Sequence, residues 1–205
     1  MEKSLSPSAD SARGASGWGR FFLFLAITAA AVAADLGSKK YMFDRLGFPS
    51  GEVEWVLPDL FGFQTSLNQG ALWGLGAGLT FLLAGISFAA LAGIAFWFWA
   101  EGRKSLLAAV SLALITGGIL GNLWDRLALH GICWPDGLVG YEPGAPVYAV
   151  RDWILVMIGS YHWPNFNIAD ACLVCGVALM FIRVIFMPPA RSGEDADARD
   201  TGTAG

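Results

Sequence analysis

The sequence predicts an all-α membrane protein: four transmembrane helices, with a small β element built from the segments between them. Three observations carry this expectation. Hydrophobic residues make up 55% of the 205-residue chain and charged residues only 15%, whereas an ordinary soluble domain carries about a quarter charged residues. Mean hydropathy is +0.53. The apolar residues also fall in separate runs, most of them near the ~20 residues that a membrane-crossing helix needs.

The first run, Phe21 to Ala34, lies between Arg20 and Asp35. Its length as a helix is about 21 Å, short of the ~30 Å hydrocarbon core. A spanning helix must therefore continue past Ala34 and bring Asp35 to the membrane boundary. A basic start, a short apolar core and Ala31-Val32-Ala33-Ala34 also fit a cleaved leader; the polar motifs that follow favour a retained helix. The second span is Leu79 to Ala100, closing on Phe96-Trp97-Phe98-Trp99, since aromatic side chains concentrate at membrane interfaces. Glu101 to Lys104 is a charged turn, Ser105 to Trp124 the third span, and about Asn167 to Phe186 the fourth.

Four spans place both termini on one side. Lys3, Arg13, Arg20, Arg103, Lys104, Arg183, Arg191 and Arg199 lie there, against Lys39, Lys40, Arg45, Arg126 and Arg151 opposite. The excess of basic residues predicts cytoplasmic termini. Residues 1–17 and 188–205 lack apolar periodicity and are expected to be disordered tails around a single domain, 18–187. The outward segments, about 36–78 and 125–166, are long for helix connections. They hold short β-prone pieces, Val53–Val56, Phe61–Thr65 and Val147–Val150, expected to form a β element resting on the membrane surface.

Several function classes are excluded. The net charge is −4, and with no basic cluster the chain has no nucleic-acid footprint. Cys172 and Cys175 sit one turn apart in an apolar run and read as packing residues. His130 and His162 belong to no G-x-S-x-G or H-E-x-x-H pattern and read as structural. No spacing supports a metal site, and no cofactor is expected.

The informative residues are polar groups at the membrane edge. Asp35 ends the first helix, Asp125 ends the third, and Asp170 lies just inside the fourth, all on the outward side. Ionisable residues at membrane depth are costly and mark function. Asn122 precedes Asp125 by three residues and Asn167 precedes Asp170 by three, so each aspartate has an amide on its own helix face. Two carboxylates held close share one proton. Such a pair can activate water and protonate a peptide carbonyl with no metal or covalent intermediate.

These residues carry a family resemblance. Gly121-Asn122-Leu123-Trp124-Asp125-Arg126 resembles the G-N-L-x-D-R block of bacterial lipoprotein signal peptidases (signal peptidase II), and Trp163-Pro164-Asn165-Phe166-Asn167-Ile168-Ala169-Asp170 resembles their W-P-x-F-N-x-A-D block. Asp35-Leu36-Gly37-Ser38-Lys39 is similar to the element ending their first helix, and Asn68-Gln69-Gly70-Ala71 to their N-x-G-A element. The four stand in family order. The resemblance implies four membrane helices with a small periplasmic β-cradle. It implies an inner-membrane aspartic endopeptidase with its site near the periplasmic face. That enzyme removes the signal peptide of diacylglyceryl-modified prolipoproteins just before the lipidated cysteine. Its partners would be that precursor and membrane phospholipid, and it would act as a monomer without cofactor.

The resemblance assigns Asp125 and Asp170 as the catalytic pair, supported by Asp35, Lys39, Asn68, Gly70, Asn122, Arg126, Asn167 and Ala169. Asp152 reads as structural, and Trp163-Pro164 as the lead-in to the fourth helix. Three features depart from the family pattern. The stretch from His130 to Pro146 is longer than the usual link, Trp73 stands where smaller or Phe-like residues are usual, and Val150-Arg151-Asp152-Trp153 replaces V-x-D-F.

Overall fold

Apolar side chains on every face suit a helix to lipid, and four helices here have that character. The computed structural model describes residues 9–70 and 79–186. Helix α1 runs Ala9–Leu46, α2 Thr80–Trp97 with one π-helical turn at Phe98–Gly102, α3 Leu106–Arg126 and α4 Ile168–Phe186. Each contains a stretch long and apolar enough to cross a membrane. Phe22, Phe81, Phe88, Val174, Phe181 and Ile185 stay more than half exposed, as lipid-facing residues do. The expected four spans are present.

Helix α1 is longer than expected at both ends. It starts at Ala9, inside the segment expected to be disordered, because an established helix propagates cheaply into alanine-containing sequence. It continues past Asp35 for eleven residues to Leu46, so the outward segment begins as helix. The tail expectations for 1–8 and 188–205, and the readings of Ala71 and Trp73, lie outside the described residues.

Helix α3 is the central one. Of its apolar window 56% is buried, against 17–22% for the other three helices, and it packs on α1, α2 and α4. Small residues make that approach possible. A Cβ added at Gly118 would meet the Ala169 carbonyl oxygen at 2.5 Å and Leu173 Cγ at 2.6 Å. Gly118→Ala is therefore expected to destabilise the protein by about 1–3 kcal/mol, read as a lower Tm in detergent. Gly37→Ala, where an added Cβ meets nothing within 4 Å, is the control expected to leave Tm unchanged or slightly higher. At the end of the bundle near residue 101, Phe24 packs on Phe98 at 4.5 Å and the Arg103 guanidinium lies 4.7 Å from the Trp99 ring.

The outward segments form one antiparallel sheet in the order β1-β2-β3-β4. Its strands are β1 Glu54–Leu57, β2 Phe61–Asn68, β3 Val150–Ile158 and β4 Tyr161–Phe166. Val147–Ala149, expected as strand, lie just before β3. Trp163 and Pro164 also differ from expectation: they belong to edge strand β4, a place where proline costs no ladder bond. Register decides what meets at the site. Ser66 pairs with Asp152 and Asn68 with Val150, so Asn68 is a diagonal neighbour of Asp152 on the same face.

Candidate active site

Every expected site residue except Asn68, Gly70 and Arg126 enters one hydrogen-bonded cluster where α1, α3, α4 and β3 meet; Asn68, beside the cluster on β2, is bonded to Gly70. The centre is Lys39, wholly buried. Its ammonium lies 2.7 Å from Asp35 Oδ2 and 3.2 Å from Asp125 Oδ2 and donates to Asn122 Oδ1 at 3.0 Å. Two carboxylates thus face the ammonium as ion pairs, and the amide oxygen of Asn122 accepts its hydrogen bond. Asp35 and Lys39 are one helical turn apart on α1, so their pairing is local. Asp35 Oδ1 accepts from the Ala169 backbone N–H at 2.9 Å, tying α1 to the first turn of α4.

Asp125 is also wholly buried. Its Oδ1 accepts from Arg151 Nε at 3.1 Å and Nη2 at 2.8 Å, and its Oδ2 accepts from the Arg151 backbone N–H at 3.0 Å. Both oxygens are therefore engaged by two buried cations, Lys39 and Arg151. The sequence neighbour Arg126 is not its partner. It lies within electrostatic reach of Asp170, Asp152 and Asp125, with Asp170 the strongest of the three.

Asp170 sits at the start of α4 in a reciprocal cap. The Asp170 N–H donates to Asn167 Oδ1 at 3.0 Å, and the Asn167 N–H donates to Asp170 Oδ2 at 3.2 Å. This is a capping box with Asn and Asp in the two roles. Asp170 Oδ1 accepts from Asn122 Nδ2 at 2.8 Å. Thus the amides do not serve the aspartates of their own motifs alone: Asn122 of α3 holds Asp170 of α4. Among the described residues no hydrogen bond joins Asp125 to Asp170, the expected pair.

The residue that sequence reasoning set aside is Asp152. Strand alternation sends the side chains of Arg151 and Asp152 to opposite faces of β3; Arg151 goes to Asp125, and Asp152 lines a cavity of about 640 Å³. Asn167 Nδ2 donates to Asp152 Oδ1 at 2.6 Å and to Asn122 Oδ1 at 3.2 Å, and Asn68 lies beside Asp152 on the neighbouring strand β2. Gly70, at φ +90, gives its N–H to Asn68 Oδ1 at 2.9 Å. That leaves the Asn68 amide free to face Asp152. Burial, and then the charge of Asp170, push the Asp152 carboxyl up to about 7; the hydrogen bond from Asn167, the charge of Lys39 and the nearby Asn68 amide oppose the shift. Asp170 is half-buried. Its link to Asp152 runs through Asn167, which bonds both. The signal in the sequence was the V-x-D-F position itself.

A four-helix membrane bundle, a four-stranded sheet on its end and a buried carboxylate cluster at their junction define a multi-pass membrane protein with a polar cluster at one end of its bundle. The chain belongs to the signal peptidase II family: the family model described as signal peptidase (SPase) II matches residues 27–186. Membership makes it a protease. The lipoprotein signal peptidase of Rhodopirellula baltica is 40% identical over 178 residues, covering 85% of this chain and 77% of that protein. That of Lactobacillus gasseri is 32% identical over 165 residues, covering 80% and 93%. Two solved structures, each described as a bacterial membrane enzyme, superpose with TM-scores of 0.63 and 0.65 at 27% and 25% identity. They cover 80% of this chain, and 87% and 94% of their own.

Proposed function

We propose that this chain removes the signal peptide from diacylglyceryl-modified prolipoproteins, cutting before the lipidated cysteine with a water activated between two aspartates. In this reading the pair is Asp152 and Asp170, and Asp125 is the anchor of a buried ion network. The supporting observation is how the carboxylates are occupied. Asp125 has both oxygens committed to Lys39 and Arg151 and no exposure, while Asp152 faces the cavity. Arg151 Nε, Nη2 and backbone N–H together with the Lys39 ammonium occupy the four acceptor sites of the Asp125 carboxylate and leave none to take a proton from water.

Charge balance supports the same assignment. Asp35 and Asp125 neutralise Lys39 and Arg151. Arg126, Asp152 and Asp170 then sum to zero only if the aspartates share one proton, the protonation state the reaction requires. Asp170, ionised, takes a proton from water as the water oxygen bonds to the peptide carbonyl carbon. Asp152 gives its proton to the carbonyl oxygen. The resulting gem-diol collapses as one of its hydroxyls returns its proton to Asp152, the C–N bond breaks, and the proton held by Asp170 passes to the leaving amine. Asn167 and Asn122 hold the two carboxyls, and Asn68 steadies Asp152. The enzyme would lie in the inner membrane with cytoplasmic termini and its site at the periplasmic face.

The test is a gel-shift assay of the purified chain on a lipidated precursor and on its non-lipidated counterpart. Cleavage of the lipidated form alone is expected; cleavage of neither would end the reading. The pH profile follows from Asp152. Its proton is retained below about 7 and lost above, so activity is expected to fall as pH rises through that value. A rate still climbing at pH 9 would remove Asp152 as the acid.

A further inference from the structure

The stretch between α3 and β3 is a pinned hairpin. The Trp134 N–H donates to Ala145 O at 2.9 Å, the Gly144 N–H to Trp134 O at 2.9 Å, and the Val147 N–H to Ile132 O at 3.0 Å. Cys133 bridges Pro146 between them. The tip closes on itself through Ala145 N–H to Glu142 O at 3.1 Å. At its base Val147 and Ala149 are wholly buried.

The hairpin is tied to two other parts of the chain. Trp134 and Tyr141 stack with ring centroids 3.7 Å apart and planes 22° apart. The edge of the pair meets Phe48, past the end of α1, at 5.8 Å. From the end of β2, Gln69 Nε2 donates to Tyr141 Oη at 3.0 Å. Trp134, Leu138, Tyr141, Phe48, Pro49 and Gln69 all line the cavity that Asp152 also lines. Bonds on three sides make this a fixed wall.

The height of that wall follows from α1. Leu46 lies eleven residues beyond Asp35, about 16 Å farther along the helix axis. Phe48 and the aromatic pair packed against it therefore stand on the outward side, beyond Asp35 along the α1 axis. A signal peptide is apolar and reaches the carboxylates from the lipid side. The polypeptide that follows the cleavage point is the part that must lead away from the bilayer.

We propose that Trp134 and Tyr141, held in place by Gln69, form the binding subsite for the extended segment just after the scissile bond. Aromatic faces suit this task, because they offer large rigid contact area to a backbone with small side chains. The subsite makes the first residues of the mature chain a determinant of cleavage. This rests on the peptidase reading given above.

The test compares two lipidated precursors with the same signal peptide and cysteine, one carrying several mature residues and one ending immediately after the cysteine. The wild-type chain is expected to prefer the longer substrate in kcat/KM by about tenfold, the scale of one good aromatic contact. Trp134→Ala is expected to raise KM for the longer substrate and bring that ratio close to one, while Trp134→Phe keeps most of the preference. Tyr141→Leu breaks the same stack and should likewise flatten the ratio if Trp134→Ala does not fold. An unchanged ratio in a folded variant overturns the inference, whatever the absolute rates, as does a wild-type ratio near one. Failure of the peptidase reading looks different: the wild-type chain would cut neither substrate.

Discussion

Asp152→Asn is expected to lower turnover of a lipidated precursor by about a thousandfold, within the range lost with a general acid, while the protein still folds. Asn keeps one carbonyl oxygen to accept from Asn167, so the local hydrogen bonding survives in part. Asp170→Asn should cost as much, because the two carboxyls act as a unit and the loss of either removes the shared proton. Stability separates chemistry from folding. The Asp152 carboxyl has its pKa raised in the folded protein, so its contribution to stability is fully present below the ordinary carboxylate range and is lost as pH rises through about 7. Asp152→Asn should therefore raise Tm at pH 8 more than at pH 4. Asp125→Asn should behave in the opposite way, with less folded protein but retained turnover per folded molecule. Full loss of turnover in well-folded Asp125→Asn, with activity retained in Asp152→Asn, would return the catalytic role to Asp125.

The second large effect is expected at Lys39. Lys39→Met removes the cation that faces Asp35 and Asp125, both wholly buried, and leaves two carboxylates near one another without it. Breaking a buried ion pair from one side costs about 3–5 kcal/mol, enough to unfold many proteins. The purified variant should show a Tm many degrees lower in detergent or fail to accumulate. Adding Asp35→Asn should recover part of the loss, since one carboxylate is then neutral and Arg151 still holds Asp125. A Lys39→Met protein as stable as wild type would mean that the network carries no net energy.

The helices were legible because lipid imposes a length and a composition that a linear scan detects. Asp35, Asp125 and Asp170 stood out as charges in those runs, and their convergence at one level followed from topology. What a linear scan could not supply was pairing across the sheet. Arg126 is the cation beside Asp125 in the chain, yet Arg151 is bonded to it, because β3 returns to the end of α3. Asp152 looked structural because the V-x-D-F position marks the residue without showing that strand alternation turns it into the cavity. Asn122 looked like an aid to Asp125 on its own helix, and in the folded chain its amide serves Asp170. The cap at Asn167 and Asp170 was visible only as a spacing, and the Trp163-Pro164 step proved to be edge strand because β4 continues to Phe166.

The one-turn spacing of Asp35 and Lys39 also bears on biogenesis. During translation α1 is inserted before Asn122, Asp125 and Ala169 have been made. An isolated carboxylate on a nascent helix is costly to leave in lipid, but this one travels with an ammonium on the same helix face. The newborn segment brings its own counter-charge. When α3 and α4 arrive, the lysine reaches across to Asp125 and Asn122, and a temporary internal salt becomes the bolt that joins three separately inserted helices.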